Sequence, residues 1–140
     1  MENPLKEKTT KQYQDLQKAI ARLKETLALP PTRVHKDATI KRFELCFELA
    51  WKLLQSVCRL EGSESVGIRT IIRSAAQLEV IDDPSAWMSL LDARNETVHM
   101  YNESVADKVY EQTKNLVPLV EALLRKTEEI LTNESIDQTR

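Results

Sequence analysis

Glycine is nearly absent from this chain: Gly62 and Gly67 are the only two among 140 residues. Hairpin turns between strands depend on glycine at positions with positive φ, so a sheet protein of this length needs more of it. The hydrophobic content of 41% and the charged content of 30% are ordinary for a soluble globular protein. The composition therefore predicts an all-α protein, and the length suits one domain.

Hydrophobic periodicity predicts five helices, over residues 10–28, 32–61, 66–78, 84 to 99 or 101, and 104–131. The second is apolar over more than half its circumference, so it must contact several neighbours, one of which could be a second copy of the chain. Ser104 and Asp107 resemble a capping box at the start of the last helix, and Pro118 predicts a kink inside it. We expect an up-and-down antiparallel bundle of four long helices and one short one over residues 1–131, followed by a frayed tail at residues 132–140.

Several negative features set the expected compartment. No apolar run approaches the ~18 residues of a membrane span, and the polar N-terminus lacks the apolar region of a signal peptide. Cys46 and Cys58 lie about 120° apart on one predicted helix, which favours reduced core thiols over a disulfide. His35 and His99 are the only histidines, and no Cys/His set has ligand spacing, so we expect no metal and no cofactor. The chain is expected to be cytoplasmic and to have no contact with a membrane.

An arginine interrupts the apolar stripe of the fourth predicted helix. At about 100° per residue, Arg94 lies in the middle of the arc that is formed by Trp87, Leu90, Leu91 and Val98. A polar strip beside this arc contains Asp92, Asn95 and His99. A guanidinium on a buried stripe is costly unless it is paired or faces a wet cleft. Two interpretations are open: a buried ion pair with a glutamate of another helix, or a functional pair of Arg94 with His99.

The segment around these residues is similar to a known family. Residues 94–101, Arg-Asn-Glu-Thr-Val-His-Met-Tyr, fit the pattern Arg, four residues, His, any residue, Tyr. Residues 37–44 and 47–52 look like the long second helix of the same family, and residues 69–78, Trp87, residues 101–103 and Ala106 also fit. Over roughly residues 10–125 the chain resembles the HEPN superfamily, specifically its HepT-like and nucleotidyltransferase substrate-binding branches.

The resemblance implies a homodimeric bundle with a cleft at its axis and a separately encoded minimal nucleotidyltransferase as its partner. Some members of the family are metal-independent ribonuclease toxins, in which the motif arginine and histidine are the catalytic pair. Those positions are Arg94 and His99 here. In some pairs the partner enzyme attaches adenylyl groups to the motif tyrosine, which is Tyr101 here. The alternative for Tyr101 is a ring packed in the dimer seam.

The chemistry of these residue types suits RNA cleavage. A histidine can take the proton of the 2′-hydroxyl at neutral pH, and an arginine can stabilise the charge that builds on the phosphoryl oxygens. Asn95, Asp92, Arg42, Arg69 and Arg73 are supporting or phosphate-binding candidates, although exposed helix arginines are usually only solvated. Two other functions stay open: a non-catalytic subunit whose cleft binds RNA or a nucleotide for the transferase, and a purely structural helical dimer.

Overall fold

The computed structural model describes residues 3–138, with side chains for residues 3–133. All regular structure in this part of the chain is helical, so the predicted all-α class is confirmed. The helices are α1 (Pro4–Leu27), α2 (Arg33–Leu60), α3 (Ile68–Gln77), α4 (Pro84–Glu96), α5 (Glu103–Thr113) and α6 (Leu116–Gln138), with a 3-10 helix at Thr97–His99 between α4 and α5. The expected tail at residues 132–140 lies largely outside the described side chains.

Helix α2 is the centre of the bundle and packs against α1, α3, α4, α5 and α6. Phe43 and Phe47 of α2 are completely buried, and their ring centroids lie 6.3 Å apart. The ring of Trp87 on α4 lies 6.4 Å from that of Phe47. Full burial of a large apolar side chain contributes about 1.5–3 kcal/mol. This aromatic cluster therefore fixes α4 on α2 and sets the position of the residues that follow Trp87.

The ends of α2 and α3 differ in how they use the left-handed backbone region. After α2, Gly62 has φ +91° and its N–H donates to the carbonyl of Arg59 at 3.0 Å. After α3 the corresponding position is Glu79, with φ +60°, and the next N–H, of Val80, donates to the carbonyl of Ala75 at 2.8 Å. A side chain in this region costs about 1–2 kcal/mol relative to the right-handed region. The turn after α3 is thus strained where the turn after α2 is not.

The last predicted helix is wrong in two respects. First, residues 104–131 form two helices, α5 and α6, so the described part of the chain has six α-helices instead of five. The interruption lies at Lys114–Asn115, because the ring of Pro118 clashes with the carbonyl of the residue four positions earlier. Second, the cap of α5 is Asn102, whose side-chain oxygen accepts from the N–H groups of Ser104 and Val105 at 3.0 and 3.3 Å.

Asp107 does not cap α5, and its side chain instead links α5 to the start of α2. Its carboxylate accepts from Arg33 at 2.5 Å and from Lys36 at 3.2 Å. These two hydrogen bonds, with that of Arg33 the larger, lower the pKa of Asp107 below its ordinary value. This contact holds the start of α5 against α2, directly after the chain segment that carries the candidate site. No helix among the described residues has both the length and the apolar character to cross a membrane.

Candidate functional site

Arg94 lies in the last turn of α4, against the middle of α2. Its Nη2 is 3.7 Å from Oε2 of Glu48, and its Cζ is 5.8 Å from the ring centroid of Phe47. The Arg94 side chain is 29% exposed and that of Glu48 is 40% exposed. The guanidinium therefore rests on an aromatic ring beside a carboxylate and keeps access to solvent, which differs from a sealed salt bridge.

The hydrogen-bonding capacity of Arg94 is largely unused. Its Nε is buried and has no acceptor, and the 3.7 Å separation from Glu48 exceeds a hydrogen bond. A guanidinium has five N–H donors in a planar fork that matches carboxylate and phosphate groups. An unmatched buried donor costs about 1–3 kcal/mol. Arg94 is consequently a cation with free donors at the edge of the α2–α4 interface, which is a suitable arrangement for binding an anion.

His99 ends the 3-10 helix that follows α4. The sequence predicted that α4 continues to His99 or Tyr101, but the α-helix stops at Glu96, and the Thr97 hydroxyl donates to the Arg94 carbonyl at 2.6 Å. His99 is exposed, and its Nδ1 lies 3.4 Å from the hydroxyl of Tyr101. The two rings meet edge to face, with centroids 5.9 Å apart. The imidazole is thus available to solvent next to an 86% exposed tyrosine.

The supporting candidates lie in three places. Asp92 of α4 is 3.6 Å from Arg69 of α3, and Asn95 is exposed on the same helix as Asp92. Arg73 is exposed on α3, one turn beyond Arg69. Arg42 lies elsewhere: its Nη1 donates to the carbonyl of Arg22 at 2.6 Å and lies 3.2 Å from Glu25, so it joins α2 to α1. The structure does not bring Arg42 to Arg94.

Glu48 is the residue that sequence reasoning did not assign to this site. Glu48 also has a neighbour on its own helix, since Lys52 Nζ lies 3.9 Å from its carboxylate. The sequence offered one signal: an arginine on an apolar stripe needs a partner, and Glu48 is one of the acidic residues of α2. Periodicity alone does not say which carboxylate of which helix supplies that partner, because the azimuth of α4 about α2 depends on core packing.

Three exposed apolar side chains lie close in the chain to Arg94 or to its partner Glu48. Leu45 of α2 is 52% exposed, Val98 of the 3-10 helix is 72% exposed and Tyr101 is 86% exposed. We call these three residues the apolar edge. Exposed apolar clusters next to polar groups are typical of protein interaction surfaces. Among residues 3–133, no three His, Cys, Asp or Glu side chains come together in a way that could hold a metal ion.

A family model described as nucleotidyltransferase substrate binding protein like matches residues 11–129. The chain belongs to this family. This confirms the resemblance on which the sequence interpretation rested. A curated relative, a probable ribonuclease HepT of Haemophilus influenzae, is 32% identical over 78 residues. That match covers 52% of this chain and 53% of the relative, so the chain spans about half the length of this curated protein.

Two solved structures share the fold. A protein of Thermus thermophilus is 35% identical, with a TM-score of 0.76, and the match covers 80% of this chain and 98% of that one. A Haemophilus influenzae protein is 23% identical, also with a TM-score of 0.76, over 83% of this chain and 98% of that one. Its structure was described as revealing the fold of a substrate binding domain of a nucleotidyltransferase. At that identity the second likeness concerns the fold alone.

Proposed function

We propose that this chain is the HEPN-type partner subunit of a separately encoded minimal nucleotidyltransferase, and that it acts as the metal-independent ribonuclease toxin of a toxin–antitoxin pair in the cytoplasm. The observation that carries the proposal is the state of Arg94: a partly exposed cation on Phe47 with unused donors. The exposed imidazole of His99 follows it in the chain by five residues. The name of the curated Haemophilus relative supports the same activity.

The proposed reaction uses the nucleophile that RNA itself carries. His99 takes the proton of a 2′-hydroxyl, whose oxygen then attacks the adjacent phosphorus while the bond to the 5′-oxygen of the next nucleotide breaks. The products are a 2′,3′-cyclic phosphate and a 5′-hydroxyl, whose oxygen takes its proton from water. Arg94 donates to the non-bridging phosphoryl oxygens as their negative charge increases. Asn95 and Asp92 have a supporting role in the last turns of α4, and Arg69 and Arg73 of α3 bind the phosphates on either side of the cleaved bond. Our proposal keeps Arg42 outside the site, because its contacts are with α1.

We further propose that the active form is a homodimer joined through the apolar edge. Electrostatic stabilisation is strongest where water is excluded, and one chain leaves Val98 and Tyr101 largely open. A second chain over this edge covers Leu45 and Val98, leaves the Tyr101 hydroxyl at the rim where the transferase can reach it, and brings two Arg94–His99 sets together. The substitution Leu45→Glu is expected to give a monomer without RNA cleavage. A monomeric variant that cleaves at the wild-type rate contradicts this part of the proposal.

The central test compares the two histidines of the chain. We expect expression of the wild type to arrest growth and cleave RNA, and expect both effects to vanish in His99→Ala. His35→Ala is the matched control, because the His35 ring lies against the Pro30 carbonyl, with Nδ1 at 2.6 Å, at the start of α2. Equal cleavage by the His99→Ala and wild-type proteins contradicts the assigned role of His99.

A non-catalytic binding subunit is the second candidate function. The Glu48 carboxylate beside Arg94 favours it, since negative charge at the site weakens attraction for RNA phosphates. In that case the wild type is harmless, RNA stays intact, and the cleft holds a nucleotide for the transferase. Calorimetric titration with nucleotides, with Arg94→Ala as the control, then detects binding that depends on the guanidinium.

Tyr101 is the proposed modification site for the transferase. Among residues 3–133, Tyr101 is the most exposed large hydrophobic residue, at 86%. Incubation with the cognate transferase and ATP is expected to raise the intact mass of the wild type by adenylyl units. Tyr101→Phe should gain no mass, whereas Tyr110→Phe, altered at the partly buried tyrosine of α5, should behave like the wild type. An equal gain on Tyr101→Phe removes Tyr101 from this role.

A further inference from the structure

A groove of about 340 Å³ separates α4 from α5 and reaches Glu96, the last residue of α4. Its floor consists of Ala93 and Val109, which are 2% and 1% exposed. Asp92 and Glu96 line the α4 wall, and Lys108 and Gln112 line the α5 wall. The volume is at the lower end of the range of small-molecule sites, which suits a single ring system better than a larger ligand.

The groove is joined to the proposed cleavage centre by the chain itself. Glu96 is the last residue of α4, and His99 follows it at the end of the 3-10 helix. Asp92 lies one turn before Glu96 on the same wall of the groove. Residues three apart in a 3-10 helix lie on the same face, so Glu96 and His99 lie on one side of this turn. A nucleotide whose 2′-hydroxyl lies at His99 therefore has its base next to Glu96.

The polar groups of the two walls are complementary and largely unused. Among residues 3–133, no ion pair joins Glu96 or Lys108 to another side chain, whereas Asp92 lies 3.6 Å from Arg69. A carboxylate on one wall accepts hydrogen bonds, and an ammonium on the other wall donates them. A ligand that fits must present donors toward Glu96 and an acceptor toward Lys108, on a flat apolar body that rests on Ala93 and Val109.

Guanine meets these requirements better than the other bases. Its Watson–Crick edge has two adjacent donors, the N1 imino and N2 amino groups, which match the two oxygens of one carboxylate. Its O6 is an acceptor of the kind that lysine recognises. Adenine and cytosine offer one exocyclic amino group beside a ring acceptor, and uracil offers one imino group between two carbonyls. Single-stranded RNA presents bases that are free to leave the stack and enter such a site.

We propose that the α4–α5 groove is a guanine-binding subsite in which Glu96 accepts from N1 and N2 and Lys108 donates to O6. The proposal rests on the ribonuclease function above and gives that site its base preference. Glu96 is exposed, so its substitution leaves the core intact.

The test measures binding of GMP, AMP, CMP and UMP separately from cleavage. Titrations followed by NMR on the methyl groups of Ala93 and Val109 are expected to detect GMP in preference to the other three nucleotides. Glu96→Gln should weaken GMP binding about tenfold, the loss typical of one disrupted bidentate base contact. Glu111→Gln, which removes a carboxylate of α5 that pairs with Lys114 outside the groove, should leave it unchanged.

Cleavage of short RNAs that differ only by guanine or inosine at one position gives an independent measurement. Inosine lacks the 2-amino group, so we expect about tenfold slower cleavage at that position in the wild type and no difference in Glu96→Gln. Equal binding of all four nucleotides, or an unaltered guanine preference in Glu96→Gln, overturns the subsite. If GMP binds as expected in the wild type and in His99→Ala while RNA stays intact, the subsite stands and the ribonuclease proposal fails. If cleavage depends on His99 but is equal at all four bases, the ribonuclease proposal stands and the guanine subsite fails.

Discussion

Replacing Arg94 by alanine distinguishes a site that is open to an anion from a salt bridge that only holds the fold. The substitution removes the 3.7 Å ion pair with Glu48 and the contact 5.8 Å from the Phe47 ring. It also removes the buried Nε, which has no acceptor. The first two losses destabilise the folded chain, and the third change stabilises it.

These energies are small because both partners are partly exposed: the Arg94 side chain is 29% exposed and the Glu48 side chain is 40% exposed. An ion pair of this kind contributes about 0.2–1 kcal/mol, and a cation–π contact at a partly exposed site contributes about 0.5–1 kcal/mol. Loss of packing by the arginine stem adds to the cost, while loss of the unmatched donor offsets about 1 kcal/mol or more. We therefore expect Arg94→Ala to lower the free energy of unfolding by about 0.5–2 kcal/mol. Breaking a sealed ion pair costs about 3–5 kcal/mol.

Urea denaturation of the wild type, Arg94→Ala, Glu48→Gln and the double variant measures both the loss and the coupling energy. The slope of the transition should stay constant, so the midpoint alone reports the change. We expect a coupling energy of at most about 1 kcal/mol between Arg94 and Glu48. A loss of about 3 kcal/mol or more in Arg94→Ala, with an unchanged slope, refutes the reasoning and makes Arg94 a structural residue.

Three further predictions concern stability and reactivity. Because the pKa of Asp107 is lowered, its pairing with Arg33 stabilises the fold above about pH 4, and this contribution is lost as the pH falls through the folded-state pKa. The free energy of unfolding of Asp107→Asn should therefore fall less steeply than that of the wild type as the pH is lowered below about 4. Burial raises the pKa of Cys46 to about 12 and that of Cys58 to about 11. Neither thiol should therefore react with iodoacetamide at pH 8 until urea unfolds the chain, and rapid alkylation of the folded protein contradicts this. Glu79→Gly removes the steric strain of a side chain at φ +60° and should raise the free energy of unfolding by about 0.5–1 kcal/mol in the same urea assay. A loss of stability instead means that the Glu79 side chain makes a compensating contact.

The sequence predicted the fold well where one physical signal dominated. The apolar circumference of the second helix required a central element, and α2 indeed contacts every other α-helix among the described residues. The last predicted helix failed because its apolar spacing continues through the break at Lys114–Asn115. Periodicity records which residues face the core, and two helices in succession can keep the same spacing. The chain direction there is set by the proline ring, whose effect appears one turn before Pro118.

The end of α4 was harder to predict than its beginning. Asp83 caps the first turn through the N–H of Ala86 at 3.0 Å, and Pro84 occupies a first-turn position, both of which are local sequence signals. No glycine or proline marks the end at Glu96. The Thr97 hydroxyl contacts the carbonyl of Arg94 instead, and the tighter 3-10 turn follows. A helical wheel therefore places Asp92 and Arg94 correctly but does not fix the azimuth of His99.

The placement of Arg94 explains why a costly residue persists on an apolar stripe. A leucine at this position would pack against Phe47 without leaving an unmatched buried donor. The chain instead has a guanidinium whose contacts with Glu48 and Phe47 hold it in place but leave most of its hydrogen bonds unmade. A binding group needs this combination, because a fully satisfied arginine has no donors left for an anion and an unrestrained one loses rotamer entropy on binding. Under the proposed function, the cost in folding stability at Arg94 is the expected counterpart of readiness to bind a phosphate.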